Sequence, residues 1–393
     1  MKRPRIEVVD ALRAFALAGI LQVNIQSFAW GAGDPLGYFA EPPGTVDTVV
    51  YLLIATFVSS KFLSIFAFLF GVGFALQWRS LLRRQADDQA GAAYRRRLKF
   101  LLALGLAHGV LLYYGEILAV YALVGFLLLG YAQKRPAALI AAACRWWAGF
   151  ALLTLASTVA FEALRHAFPP PGDPSVVPAW ALARLALYTQ AGFLEQIGPR
   201  TADYLSVLGT TALLTVPQVM GLFLLGAIAG RLGWLARPQR HARLWRATTW
   251  IGLAALPFAA VAGWLNFVEM RDSPGNPGSL RYAIQYVGAW VACLYVAAFV
   301  RLRERPSMRQ FIAWLAPAGR MPLTNYVVQS VAMGLLLSGW GLGLGAALGR
   351  LELALLALAI AGAQIVASRA WIARFGHGPL EALWRRATYD KPR

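Results

Sequence analysis

Runs of about 20 mostly apolar residues recur along this chain, and a helix needs about that many to cross the hydrocarbon core of a membrane. Hydrophobic residues make up 59% of the chain and charged residues 14%, whereas a soluble domain carries roughly 25% charged residues. A soluble fold of 393 residues could not bury so much apolar surface. Part of the protein surface must therefore face lipid.

The apolar runs predict an all-α fold, a polytopic transmembrane helix bundle of about ten spans. We expect residues 1–393 to form a single transmembrane domain. The expected spans are 11–30, 61–79, 98–114, 116–132, 143–164, 205–231, 247–268, 281–300, 322–340 and 351–371.

Lys and Arg collect in alternate loops between these spans, which is typical of the cytoplasmic side of a membrane protein. This alternation predicts that both termini are cytoplasmic. It also accounts for the formal net charge of +19, so we expect the lipid bilayer as a partner and no nucleic acid. The Arg residues left for the outer side are Arg165, Arg184, Arg200, Arg271, Arg281 and Arg350.

Three segments do not read as full spans. Residues 46–60 are apolar but too few to cross and return, which favours an interfacial or re-entrant helix or an extension of the second span. Residues 165–204 predict an outer loop, within which 180–198 mix apolar and polar residues as an amphipathic surface helix does. Residues 372–393 are expected to be a cytoplasmic tail.

Polar residues at the cytoplasmic end of the first span predict an ion pair. Asp10 and Arg13 are spaced i, i+3 and share a helix face. Asn24 follows Arg13 by eleven residues, which places it roughly 16 Å deeper. Ionisable groups at membrane depth are costly, so they are either functional or paired.

Lys61, Glu116 and His108 are the further ionisable candidates for a site. Lys61 and Glu116 each open a predicted span at the outer side, so we expect them to form an ion pair or to line one outer vestibule. His108 is expected near mid-membrane, where a neutral imidazole is either a general base or a packing residue hydrogen-bonded between helices. The four His are scattered, so no metal site is expected.

The stretch that opens the ninth span carries Arg320, Asn325 and Gln329. The two amides are spaced i, i+4 and share one helix face. They predict either a polar wall of a cavity open to the cytoplasm or hydrogen bonds that join neighbouring helices.

Several stretches together resemble the YeiB-like family of bacterial inner-membrane proteins across nearly the whole chain. They are Ile6 to Asn24 with Asp10-x-Leu-Arg13, Lys61–Gly73, His108–Tyr121 with Gly115-Glu-Ile-Leu118, Gly319–Gln329, and Arg374-Phe-Gly-His-Gly-Pro-Leu-Glu381 followed by Trp384-Arg. The resemblance implies a multi-pass protein of the bacterial inner membrane.

That family resembles, more distantly, a superfamily of transmembrane acyltransferases that includes heparan-α-glucosaminide N-acetyltransferase. Their first span often reads Asp-x-x-Arg-Gly, with Asn or His eleven residues after the Arg. Asp10, Arg13 and Asn24 match this spacing, whereas Ala14 replaces the Gly. The heparan enzyme's catalytic His follows its first span, but residues 25–60 here contain no His. In an enzyme of this kind, His108 would have to supply the base.

Three functions stay open. An acyltransferase would take an acyl group from a cytoplasmic acyl-CoA (acetyl-CoA), bound through Arg13 and Arg320, to a sugar or lipid-linked acceptor. It would need no bound cofactor. A transporter or exporter of a small or lipidic substrate would use the same polar residues, and a scaffold would need none of them. Either active-site hypothesis expects His108, Asn24 and Lys61 to face one cavity. The pattern does not decide whether the chain forms a homo-oligomer.

Overall fold

A computed structural model of the chain describes residues 6–31, 44–83, 87–168, 179–272 and 281–388. Within these ranges it holds fourteen α-helices and two short 3-10 helices, and it has no β-strand. The prediction of an all-α helix bundle is confirmed. The α-helices are α1 (Glu7–Trp30), α2 (Thr45–Phe57), α3 (Lys61–Leu82), α4 (Asp87–Leu111), α5 (Leu118–Leu129), α6 (Pro136–Ala167), α7 (Ala179–Gln190), α8 (Phe193–Leu232), α9 (Ala242–Asp272), α10 (Arg281–Leu302), α11 (Pro306–Gly319), α12 (Pro322–Leu337), α13 (Arg350–Phe375) and α14 (Pro379–Thr388).

Seven helical stretches in the described ranges are long and apolar enough to cross a membrane. They lie in α1, α2 with α3, α6, α8, α9, α10 and α13. The three remaining predicted spans also contain helices, namely α4, α5 and α12. However, α5 and α12 have 12 and 16 residues, so they rise only about 18 and 24 Å. Since the hydrocarbon core is about 30 Å thick, the count of about ten spans stays a prediction.

The segment 46–60 forms α2, and a short break separates it from α3. The backbone N–H groups of Val58 and Ser59 both donate to Ile54 O, and Ser60 has a positive φ of 66°. A non-glycine residue in this left-handed region is uncommon and marks a local turn. The break divides one apolar stretch, Thr45–Leu82, into two helices.

Contacts with neighbouring helices fix the depth of this break. Asp47 at the start of α2 accepts a hydrogen bond from the backbone N–H of Arg350, whose guanidinium stacks on Trp30 at the C-terminal end of α1. Phe62, just after the break, fills the space beside Gly19 in the middle of α1. The break therefore lies level with the middle of α1, and α2 lies level with the C-terminal half of α1.

Glycines allow the closest helix contacts around α3 and α1. A Cβ on Gly71 would lie 2.1 Å from Phe223 O of α8, and a Cβ on Gly226 would lie 2.0 Å from Phe68 O. A Cβ on Gly319, at the end of α11, would lie 1.7 Å from Asp10 O of α1. Only glycine fits such approaches, which hold Arg320 beside the N-terminal end of α1.

Two predicted peripheral segments are folded differently from the expectation. The expected surface helix over 180–198 ends at Gln190, and α8 begins at Phe193. Gly192 is extended there, and its N–H donates to the Glu195 carboxylate, which starts the new helix. In the expected tail 372–393, α13 continues to Phe375 and a further helix, α14, packs against α4 and α12.

Candidate functional site

A cavity of about 360 Å³ opens at the end of the bundle that the charge pattern assigns to the cytoplasm. Its walls come from α1, α3, α4, α5, α11, α12 and α14. Its volume lies within the range of small-molecule sites, roughly 300 to 1,000 Å³. The ionisable residues that line it are Asp10, Arg13, Arg97, Arg320, His377, Glu381 and Arg385.

Arg13 and Arg320, the two Arg residues predicted to bind a donor, line this one cavity. Arg13 Nη1 donates to Asp10 Oδ1 at 2.9 Å, so the predicted i, i+3 ion pair is present. Gly73 of α3 faces Arg13 Nη2 and leaves room for the guanidinium. Arg320 Nη2 donates to Gly376 O at 2.8 Å. Backbone and side-chain partners thus hold both cations at the cavity wall.

The helix α14 supplies part of the opposite wall. Trp384 Nε1 donates to Arg97 O at 2.9 Å, and the Arg97 guanidinium lies 3.2 Å from the centroid of the Trp384 ring. This stacking fixes the plane of a guanidinium that lines the cavity. Arg385, the next residue along α14, is exposed.

The second carboxylate of the cavity, Glu381, caps α12. Its oxygens accept hydrogen bonds from Leu323 N at 2.7 Å and from Thr324 Oγ1 at 2.6 Å. A carboxylate at a helix N-terminus satisfies free backbone N–H groups and the helix dipole. Four arginines and two carboxylates line the cavity, so its wall keeps an excess of positive charge.

The inner end of the cavity is apolar and aromatic. Phe66, Phe70, Leu101, Leu118 and Tyr121 contribute to it. The Tyr121 hydroxyl donates to Leu63 O at 3.0 Å, so this ring has a fixed position. The cavity is therefore basic at its mouth and apolar where it ends.

His108 is buried and does not line the cavity. It lies on the same face of α4 as Leu101, about two turns farther toward the C-terminal end of the helix. His108 Nε2 is 2.9 Å from Ser330 Oγ of α12, and the imidazole packs against the Tyr326 ring at 4.9 Å between centroids. No described residue forms a hydrogen bond with Nδ1.

Glu116 and Lys61 do not form the predicted pair or line the predicted outer vestibule. The Glu116 carboxylate accepts hydrogen bonds from Leu118 N and Ala119 N and caps α5. The fully buried Lys61 Nζ donates to Ala55 O at 2.5 Å. Glu116 thus satisfies backbone N–H groups at the start of α5, and Lys61, the first residue of α3, satisfies a carbonyl near the end of α2. The prediction placed Lys61 at the outer side because the break before α3 carries no Pro or Gly to reveal it.

The predicted polar wall of α12 faces α13 instead of the cavity. Asn325 Nδ2 donates to Ser368 Oγ at 3.0 Å, and Gln329 Nε2 donates to Gln364 Oε1 at 2.8 Å. These contacts match the alternative of hydrogen bonds that join two helices. Asn24 Oδ1 accepts a hydrogen bond from Tyr113. His108, Asn24 and Lys61 thus have separate neighbours, and the shared cavity expected of them is not observed.

Sequence reasoning missed several polar or aromatic contributors to the cavity, among them Arg97, His377, Glu381, Trp384 and Arg385. It placed Arg97 in a cytoplasmic loop and the other four in a tail, because their apolar content is too low for a span. The sequence signal for the tail residues was their place in the stretch from Arg374 to Glu381 and the following Trp384-Arg, which resembles the YeiB-like family. Within the described ranges, no group of three or more His, Cys, Asp or Glu is arranged to hold a metal ion.

The apolar helices and the basic cavity together define a helical membrane protein with a ligand-sized site at one end. Residues 229–391 match the family described as "Protein of unknown function (DUF418)". The chain is 28% identical to "Uncharacterized protein YxaH" of Bacillus subtilis, over 98% of this chain and 94% of the relative. It is also 28% identical to "Uncharacterized protein YeiB" of Escherichia coli, over 97% and 95% respectively.

A third relative extends the comparison. The chain is 28% identical to the "Uncharacterized 39.9 kDa protein in amylase 3'region" of Bacillus acidopullulyticus, over 98% of this chain and 94% of the relative. All three relatives are bacterial and match along nearly their whole length. The predicted resemblance to the YeiB-like family is confirmed, whereas the more distant resemblance to acyltransferases stays a prediction.

Proposed function

We propose that this chain is a multi-pass protein of the bacterial inner membrane that binds an acyl-CoA from the cytoplasm and transfers the acyl group to a polar acceptor. The observation that supports this function is the cavity, with its four arginines at the mouth and its apolar inner end. A cavity of this polarity suits an amphiphile with phosphates at one end and an uncharged arm at the other.

The arginines fit the phosphates of such a donor. Guanidinium groups bind phosphate through paired, charge-assisted hydrogen bonds, and Arg13, Arg97 and Arg320 already have fixed planes or partners. A volume of about 360 Å³ suits the pantetheine arm, while the nucleotide stays at the mouth. The thioester would then reach the inner end, near Leu118.

The transfer step balances without a cofactor. The acceptor hydroxyl or amine attacks the thioester carbonyl, its oxygen or nitrogen forms the new bond to the acyl carbon, and the C–S bond breaks. His108 would take the proton of the nucleophile and pass it to the leaving thiolate. Because His108 lies about two turns beyond Leu101 of the cavity wall, this role requires that the acceptor and the thioester meet beyond the inner end of the cavity. Glu116 caps α5 next to Leu118, a residue of the cavity wall, so its role is to hold the inner end in place.

Calorimetric titration of the purified protein with CoA and acetyl-CoA tests the proposal. Arg13→Ala and Arg320→Ala should each weaken binding about tenfold or more, since a hydrogen bond to a charged group contributes about 1.5–3 kcal/mol. Arg243→Ala, at an exposed Arg of α9 outside the cavity, is the matched control and should bind as the original chain does. Absence of binding at millimolar CoA by folded protein would overturn the proposal.

Transport is the second candidate, and the break between α2 and α3 favours it. Discontinuous helices near mid-membrane are typical of transporter sites, and this break holds the buried Lys61. Protein in sealed liposomes should then move an anionic amphiphile across the bilayer with no acyl acceptor present. Flux that continues when CoA binding is abolished by Arg320→Ala would favour transport; a requirement for acetyl-CoA turnover would exclude it.

A further inference from the structure

Gln77 and Tyr94 are uncharged polar residues of the cavity wall that neither the fold nor the proposed reaction uses. Neither the Gln77 amide nor the Tyr94 hydroxyl forms a hydrogen bond with any described residue. Each side chain can both donate and accept a hydrogen bond. Both groups are therefore available to a ligand in the cavity.

The Tyr94 ring is held by aromatic neighbours while its hydroxyl stays open. The ring centroid lies 5.0 Å from that of Phe74 and 6.5 Å from that of Trp78, both edge to face. Tyr94 is only 2% exposed, yet its hydroxyl oxygen is not fully enclosed, whereas those of Tyr204 and Tyr326 are. Since Tyr94 lines the cavity, the accessible part of its hydroxyl faces the cavity.

Gln77 and Tyr94 mark the outermost level of the cavity on α3 and α4. The helix α3 runs toward the end where the cavity opens, and Gln77 is the last of its residues in the wall. The helix α4 runs back from that end, and Tyr94 is the first of its residues in the wall. Tyr94 packs on Phe74 and Trp78, which lie on either side of Gln77 along α3. The two polar groups therefore lie at a similar level, at the mouth.

The chemistry of the wall changes in the same order along both helices. One turn inward from Gln77, about 6 Å along α3, Gly73 faces Arg13. One turn inward from Tyr94, about 4.5 Å along α4, Arg97 lines the cavity. The apolar inner end follows on both helices. The wall is thus polar and uncharged at its rim, cationic one turn farther in, and apolar where it ends.

This order matches the groups of a nucleotide-linked amphiphile that enters with its uncharged arm first. The arm reaches the apolar end, the phosphates meet the arginines, and the base stays at the rim. The amides of a pantetheine arm lie on the inner side of the phosphates, so they do not reach the level of Gln77 and Tyr94. The base is the part of such a ligand that the two residues can bind.

The Gln77 amide favours adenine among the purines. An amide has a donor beside an acceptor, and it pairs with the amino group and N7 of adenine. The corresponding edge of guanine presents two acceptors, O6 and N7, which suit arginine or lysine instead. A rim that offers an amide and a phenol hydroxyl therefore discriminates against guanine.

We infer that Gln77 and Tyr94 form the subsite for the base of the bound nucleotide, and that the Gln77 amide makes this subsite selective for adenine. The Tyr94 hydroxyl supplies a further hydrogen bond to the nucleoside. The inference rests on the proposed function, in which the nucleotide is that of an acyl-CoA. It adds which residues recognise the end of the donor that takes no part in the reaction.

Calorimetric titration with adenosine 3′,5′-bisphosphate and guanosine 3′,5′-bisphosphate tests the subsite. The adenosine compound should bind about tenfold more tightly, and Gln77→Met should abolish this preference. Tyr94→Phe should weaken binding of the adenosine compound about fivefold. Gln310→Met, at an exposed Gln of α11 outside the cavity, is the control and should bind as the original chain does. Equal affinities for the two compounds, or an unchanged preference in Gln77→Met, would overturn the subsite.

Two further measurements separate recognition of the base from other roles. Thermal unfolding of Gln77→Met and Tyr94→Phe should match that of the original chain, because neither group has a hydrogen-bond partner in the fold. A lower Tm with unchanged nucleotide affinity would instead assign them a structural role. The compound 4′-phosphopantetheine, which lacks a base, should bind equally to the original chain and both variants. Weaker binding by the variants would overturn the assignment to the base.

Titration with CoA distinguishes failure of the subsite from failure of the proposed function. CoA that binds equally well to the original chain, Gln77→Met and Tyr94→Phe would overturn the subsite and leave the proposed function in place. Binding of adenosine 3′,5′-bisphosphate that depends on Gln77, without any binding of CoA, would support the subsite and overturn the proposed donor.

Discussion

The two ends of the bundle use arginine in different ways. At the end that the charge pattern assigns to the outer side, the buried Arg200 donates to Leu111 O at 2.6 Å and to Gln196 Oε1, and the buried Arg350 donates to Gln26 Oε1 and stacks on Trp30. At the end that it assigns to the cytoplasm, Arg13, Arg320 and Arg385 line an open cavity. The Arg side chain is fully enclosed in one region and lines an open cavity in the other.

The difference separates cations that stabilise the fold from cations that can bind a ligand. Arg200 closes the end of α4, where backbone carbonyls have no helical partner, and it is 2% exposed. Arg13 keeps 25% of its side chain exposed beside its ion pair. A functional assignment from charge alone would have treated the two ends alike.

The largest expected effect is a loss of stability when the buried Arg200 at the outer end is replaced. Arg200→Met should lower the free energy of unfolding by about 3 kcal/mol, because it leaves the buried Leu111 O and the Gln196 amide without their donor. The affinity for CoA should stay the same. Thermal unfolding in detergent, together with calorimetry, measures both. An unchanged melting temperature would show that Arg200 does not stabilise the fold, and the arginines at the two ends could then not be told apart by their roles.

Arg97→Ala should lower both the affinity for CoA and the stability of the fold. Its cavity guanidinium is lost, so the affinity for CoA should fall about tenfold. Its stacking on Trp384 is lost as well, which should cost about 0.5–1 kcal/mol of stability. Arg97→Lys keeps the positive charge but lacks the planar guanidinium with its paired N–H donors. Its affinity for CoA should therefore lie between that of Arg97→Ala and that of the original chain. Full recovery by Lys would show that charge alone is recognised.

Glu381→Gln should change stability and binding in opposite directions. The neutral amide caps α12 less well than the carboxylate, which should cost about 1 kcal/mol of stability. Removal of a negative charge from the cavity wall should raise the affinity for CoA by about threefold. A lower affinity in folded Glu381→Gln protein would mean that Glu381 contacts the ligand directly.

The smallest effect is expected outside both regions. Glu304 pairs with Arg303 at 2.8 Å, and its side chain is 70% exposed. Glu304→Gln should therefore change the free energy of unfolding by less than about 0.5 kcal/mol and leave CoA binding unaltered. A larger change in either measurement would show that exposed charges anywhere on the protein affect stability or CoA binding. The effects at the two ends of the bundle would then not be specific to those ends.

The sequence was sufficient for features that depend on local spacing. Apolar length predicted the helices, and i, i+3 spacing predicted the pair of Asp10 and Arg13. The charge pattern placed Arg13 and Arg320 on one side, and they line one cavity. These features need no knowledge of how one helix is rotated against another.

Features that depend on contacts between distant helices could not be predicted in this way. The break at Ser60 carries no Pro or Gly, so Lys61 was expected at the outer side, whereas it lies level with the middle of α1, where Phe62 packs beside Gly19. Asn325 and Gln329 were rightly placed on one face of α12, but the sequence does not say that this face meets α13. The rotation of each helix is set by packing, which spacing alone does not encode.

The position of α14 has a consequence for biosynthesis. The chain reaches the ribosomal exit one residue at a time, and α14 follows α13, the last apolar helix in the described ranges. Trp384 and Glu381 therefore join the cavity wall only after all of those apolar helices have been made and can already be in the bilayer. The cavity of the nascent protein is therefore incomplete during membrane insertion, so the proposed ligand could not engage it until synthesis has passed Arg385.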